Sequence, residues 1–96
     1  MMRLPTFTGD MAMSDRAAET AARLERWCKE QGHFITADGC VYEEAAAAVL
    51  DRSPGTIRNW RLDGGAVVPY YRPGRGARVR YRLADLAAFI EMQRKF

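Results

Sequence analysis

Between Arg52 and Phe96 the chain carries nine arginines and one lysine against only three acidic residues. From Met1 to Asp51 the balance is reversed, with five basic and nine acidic residues. A net charge of +3 therefore conceals a strongly basic second half. Arginine presents a planar fork that pairs two-pronged with phosphate and with the O6/N7 edge of guanine, and asparagine does the same for the N6/N7 edge of adenine. Arg58 and Asn59 stand side by side in "SPGTIRNW", Ser53 to Trp60, with Arg52 just before and Arg61 one helical turn beyond Arg58. Arg75, Arg78 and Arg80 follow in "RPGRGARVRYR". These residue types in one half of a small chain point to nucleic acid as the partner.

Other chemistries find less support. Cys28, His33 and Cys40 offer three soft ligands, but C-x4-H-x6-C matches no common structural zinc spacing, and the two cysteines read as small buried apolar groups. Glu43 and Glu44 are adjacent carboxylates, yet a single distant histidine and a 96-residue chain leave no catalytic constellation, so no enzyme is expected. No cofactor and no metal are expected. At 48% apolar content the chain can build one small core. No apolar run reaches the roughly 20 residues that span a bilayer, and the opening residues lack the apolar centre of a signal peptide. A cytoplasmic protein of a bacterial or phage-infected cell is expected.

The elements that must position the arginines follow from local signals. Residues 1–13 carry no period and are expected to be a flexible arm, with Met11 or Met13 equally able to be the natural start. Ser14 is a good N-cap, and an accessory helix is expected over 14–32, with Ala17, Ala21, Leu24 and Cys28 on one narrow stripe, Trp27 as its anchor and Gly32 at its end. "HFITADGC" reads as a connector turning at Asp38–Gly39. "VYEEAAAAVL" reads as a second helix ending near Leu50. Ser53 then caps a third helix that runs to about Leu62. Pro54 suits its first position, because the missing N–H costs nothing there. Gly55 adds no side chain, so the helix start can approach another molecule. The free N–H groups of the first turn and the Thr56 hydroxyl then face phosphate, as the helix dipole favours. Ile57 and Trp60, three apart, face inward and leave Arg58 and Asn59 outside.

"DGG" at Asp63–Gly65 breaks this helix. "VVPYYRPGRGARVRYR" reads as two short strands around a turn at Pro73, Gly74 and Gly76. Val79 and Tyr81 alternate with Arg78, Arg80 and Arg82, giving the hairpin an apolar face and an arginine face. One of these arginines is open to pairing with Asp63 or Asp85 instead of an external phosphate. Trp60, Tyr70 and Tyr81 are read as core rather than as base-stacking groups. "LADLAAFIEMQRKF" closes the core with Leu86, Phe89 and Ile90, and Arg94 and Lys95 suit its C-terminal dipole.

Helix, short turn, helix, basic hairpin, helix is a winged helix-turn-helix: mainly α with a small β-hairpin, spanning 40–96. At "EAAAAVL", "RSPGTIRNW" and "VPYYRPGRGARVRYRLADLAAFI" the chain resembles the excisionase-like, MerR-type winged-helix proteins of phages and mobile elements. The resemblance covers roughly Val41 to Ile90, about half the chain. It includes Tyr81-Arg82 and Asp85-Leu86 leading into the closing helix. It implies sequence-specific binding of double-stranded DNA, with a recognition helix in the major groove and a wing beside the backbone. Together with the reading of the residues above, the expected DNA-binding set is Arg52, Ser53, Gly55, Thr56, Arg58, Asn59, Arg61, Arg75, Arg78 and Arg80. Two departures stand out. Asp51 and Arg52 occupy a turn where the family has glycine and an apolar residue, leaving a looser turn or a phosphate contact by Arg52. Tyr42 sits where a Ser or Thr cap is usual.

An excisionase-type recombination factor or a small transcription regulator fits this pattern. So do a small-terminase-like DNA-packaging adaptor, whose protein partner would meet the acidic N-terminal helix, and a protein-interaction module on the same fold. A homodimer or a cooperative assembly on DNA is open. MerR-type sensors dimerise through a long C-terminal coiled coil, which has no room after Phe96, so no small-molecule effector is expected.

Overall fold

A computed structural model of the chain describes residues 4–64 and 68–93, with side chains from residue 15 onward. Among the described residues, four helices and a two-stranded sheet follow in the order α1 (Leu4–Glu30), β1 (Cys40–Tyr42), α2 (Glu43–Leu50), α3 (Pro54–Leu62), β2 (Arg80–Arg82) and α4 (Leu83–Gln93). The helix-turn-helix pair is α2 and α3, and the order agrees with the winged helix-turn-helix architecture. Arg94 and Lys95, expected at the C-terminal dipole, lie outside the described residues.

The backbone is helical from Leu4, so residues 4–13 extend α1 instead of forming an arm, and Ser14 is an interior residue of the helix. Pro5 falls in the first turn, where a missing N–H is tolerated, and the methionines and alanines that follow propagate the helix without any apolar period. α1 packs along α4. Cys28 reaches the main core, with Leu24 against it. The Thr20 hydroxyl, buried in this contact, donates to Glu91 Oε2 at 2.6 Å. Trp27 is not the anchor: it stays 37% exposed and tilts against His33.

Val41 and Tyr42 belong to a strand and not to the second helix. β1 pairs antiparallel with β2, Val41 opposite Tyr81 and Tyr42 opposite Arg80. Val41 and Tyr81 put the apolar face of this ribbon into the core beside Val79, Leu83 and Leu86. Of the expected hairpin within residues 67–82, whose Val67 lies outside the described residues, the described residues show a single bridge, Tyr71 to Arg80, with main-chain bonds of 3.0 and 2.8 Å. A two-stranded ribbon is marginal alone, and the nearby, fully apolar Val41 offers β2 a better-buried partner than the proline-broken run before the wing. The wing is thus a loop held at its base. Its tip is a turn in which the Ala77 N–H reaches the Gly74 carbonyl at 3.0 Å, and Gly76 supplies the φ of +80° that the third position of a type II turn demands.

Between α2 and α3, Asp51 takes the left-handed conformation that ends α2, with φ 57° and ψ 45°. Its N–H closes on Ala48 at 3.1 Å and that of Arg52 on Ala47 at 2.9 Å, so the turn is tight and not loose. A residue with a Cβ is strained here, although Asp tolerates the region better than most. Asp51→Gly is therefore expected to stabilise the fold by roughly 0.5–1 kcal/mol, read as a higher urea midpoint at unchanged slope; an unchanged or lower midpoint would contradict this. Tyr42 is the N-cap of α2 and offers no side-chain bond, so the carboxylates of Glu43 and Glu44 alone complement the positive end of that helix.

Candidate nucleic-acid interface

α3 opens as its sequence suggests. Ser53 is extended and its Oγ accepts from the Thr56 N–H at 3.1 Å; Pro54 follows as the first helical residue. The Ser53 and Thr56 hydroxyls also lie 2.9 Å apart. The Thr56 and Ile57 N–H groups both reach the Ser53 carbonyl, at 3.0 and 3.3 Å. With no N–H on Pro54, the opening of the helix leaves the Ser53 and Gly55 amides without a hydrogen bond among the described residues. A Cβ built on Gly55 meets nothing closer than Ser53 Oγ at 3.9 Å, and its φ is not positive. Nothing among the described residues requires glycine at this position.

The inward face of α3 is Ile57, buried in the core, and Trp60, half-buried and tilted on Phe89 of α4 with ring centroids 6.3 Å apart. Arg58 and Asn59 are exposed, and they form no hydrogen bond or ion pair among the described residues. Arg52 before the helix and Arg75 at the wing tip are likewise exposed and unpaired among the described residues. Asp51 and Pro54, on either side of Arg52 and Ser53 in sequence, are exposed as well.

Arg61 does not share that surface. Its Nε and Nη2 donate to Glu43 Oε2 and Oε1 at 2.9 and 3.0 Å, and its side chain is only 13% exposed. Tyr81 donates its hydroxyl to the same carboxylate at 2.7 Å. The bond from Arg61, against the cost of burial, and the bond from Tyr81 hold Glu43 below the usual carboxylate range. Burial, followed by the Glu43 contact, pushes the Tyr81 phenol well above its ordinary value. Tyr70, read as core, is 42% exposed and leans on Tyr81 with the Arg61 guanidinium 5.9 Å from its ring.

Two wing arginines also have partners, though not Asp63 or Asp85. Arg78 donates to Glu44 Oε1 at 2.6 Å and lies 4.0 Å from the centre of the Tyr42 ring. Both members of that ion pair are mostly exposed, so phosphate can compete with Glu44 at little cost. Arg80 faces the Asp38 carboxylate at 4.0 Å, and its Nε is buried without a hydrogen bond. Asp38, bonded by Thr36 and Tyr71 hydroxyls, is held down at about 2 by those two bonds. Arg72 and Arg82, absent from the expected set, are exposed on the same basic segment; sequence spacing alone gave no reason to prefer their neighbours over them.

Cys28 and Cys40 are free, buried thiols, and burial raises the Cys28 pKa. Among the described residues no group of three or more metal-ligating side chains is gathered, and no helix is long and apolar enough to cross a membrane. Comparison with curated proteins and with solved structures finds no match. A helix-turn-helix domain family matches residues 43–94, from the first residue of α2 past the end of α4, which takes in the pair, the wing and the closing helix. That match covers more than half of the chain and supports DNA binding, and the chain belongs to the helix-turn-helix domain family.

Proposed function

We propose that the chain binds duplex DNA sequence-specifically, with the outer side of α3 in the major groove and the wing along the backbone, as an excisionase-type recombination factor or a small transcription regulator. It would act singly or as several copies side by side. The observation that carries this reading is the pairing of Arg58 and Asn59, exposed and without a hydrogen bond or ion pair among the described residues, with a helix opening at Gly55 where no described side chain stands within contact of an added Cβ except Ser53. Arg52, Thr56 and Arg75 flank this surface as backbone contacts, and Arg78 joins them by exchanging Glu44 for phosphate. Ser53 serves chiefly as the cap. Arg61 and Arg80 serve the scaffold that aims the others.

The test is a titration of a duplex selected from a random-sequence pool, and of a random duplex of equal length, at several salt concentrations. Binding is expected to fall steeply with salt on both and to favour the selected duplex. Gly55→Ala sharpens the test. The methyl group removes the flexibility of glycine and is expected to raise helix stability by up to about 1 kcal/mol, yet to weaken DNA binding by standing between the helix opening and phosphate. Unchanged affinity in a more stable Gly55→Ala protein would remove the close-approach argument, and salt-independent or absent binding by the parent chain would remove the reading itself.

A further inference from the structure

Glu43 accepts three hydrogen bonds from two elements other than its own. Arg61 near the C-terminal end of α3 gives two, and Tyr81 in the middle of β2 gives one. The carboxylate is itself the first residue of α2, directly after β1, and its side chain is only 19% exposed. One side chain therefore joins both helices of the helix-turn-helix pair to the strand that carries the wing.

The remaining supports of α3 are of another kind. Its N-terminal end is tied to α2 by the Asp51 turn, and its middle rests on Ile57 and Trp60. Apolar contacts are non-directional and resist separation more than they resist rolling or sliding. A two-pronged arginine–carboxylate bond fixes distance and plane together. Among the described residues, Glu43–Arg61 is the ion pair between α3 and the rest of the fold. The Tyr81 bond to the same carboxylate then refers that position to the wing. A reading helix and a wing that must meet one duplex need this relative orientation held to within about an ångström.

We propose that Glu43 is a positioning residue for DNA recognition: through Arg61 and Tyr81 it sets the angle between α3 and the wing, and so the sequence preference, without touching DNA. The proposal rests on the DNA-binding reading above.

It is tested with the full chain and its Glu43→Gln, Arg61→Lys, Arg61→Met and Glu43→Gln/Arg61→Met variants, each titrated on the selected and the random duplex at a temperature where circular dichroism shows it folded. Arg61→Lys keeps the charge and loses the planar fork. The ratio of selected to random affinity is expected to fall about tenfold or more in each variant, while affinity for the random duplex holds within about threefold. The double variant should lose no more than either single one, because both act through one bond. If the folded variants melt earlier but keep the parent's ratio, Glu43 only stabilises and the proposal fails. It fails also if Arg61→Met weakens random binding and flattens the salt slope while Arg61→Lys does neither, since Arg61 then contacts phosphate itself. Should Glu43→Gln not fold, Arg61→Lys and Arg61→Met decide between these outcomes. A parent chain that prefers no duplex removes the DNA-binding reading and this proposal together, whereas a parent that discriminates and variants that discriminate equally remove this proposal alone.

Discussion

Arg58→Ala is expected to weaken binding to the preferred duplex by about 1–3 kcal/mol and to leave binding to random DNA nearly unchanged. Asn59→Ala should behave alike. Both side chains are exposed on α3 with no hydrogen bond or ion pair among the described residues, Arg58 adding only a weak Coulombic pull on Glu43, so their removal costs the fold little. Base-edge contacts are made only where the right base is present, which is why the loss should appear on one DNA and not on the other. Arg75→Ala supplies the contrast. It sits on a glycine-flanked wing tip, exposed and without an ion pair among the described residues, where phosphate is the natural ligand. Its loss should weaken both duplexes alike and reduce the salt slope by about one unit. Isotherms on both DNAs at several salt concentrations separate the cases. Equal losses for Arg58→Ala and Arg75→Ala on both DNAs would mean that α3 does not read bases.

Removing residues 1–32 is expected to abolish cooperative folding. The sequence of α1 suggests an accessory helix, since its stripe is poor in large apolar groups and lies outside the helix-turn-helix match. Its packing argues for a larger part. Cys28 is fully buried in the common core, Leu24 packs against it, and the Thr20–Glu91 bond is buried against α4. Burial of two such apolar side chains is worth about 2–4 kcal/mol in area terms, a large share of the roughly 5–15 kcal/mol that holds a domain together. The shortened chain should show a broad thermal transition and bind a hydrophobic dye. A sharp transition within a few degrees of the full chain's would make α1 an accessory after all.

What the sequence discloses and what it conceals divide along the range of the interactions. The Ser53 cap, Pro54 at the first position, the inward Ile57 and the Val79/Tyr81 alternation depend on neighbours a few residues away, and each is legible in the string. The strand at Cys40–Tyr42 is three residues long and abuts a run of helix formers, so local pattern assigns two of its residues to the helix. Its partner is 40 residues distant in sequence: Val41 meets Tyr81 because both have apolar faces to bury, which no local period reports. The same holds for the arginines. Arg61 lies one turn from Arg58 and looks equivalent to it, yet Glu43, 18 residues earlier, claims it. Arg78 is claimed by Glu44, 34 residues earlier. Glu43 and Glu44 look idle as a catalytic pair, yet each holds an arginine that is distant in sequence, Arg61 and Arg78.

The central claim is that α3 enters the major groove and reads bases with Arg58. Methylation protection tests it most directly, because dimethyl sulfate reacts with guanine N7 in the major groove and with adenine N3 in the minor groove of the same duplex. With the full chain bound to its preferred duplex, protection of at least one guanine N7 is expected, and that protection should vanish in Arg58→Ala at protein concentrations that still saturate the DNA. Protection confined to adenine N3, or guanine protection that persists unchanged in Arg58→Ala, would contradict it.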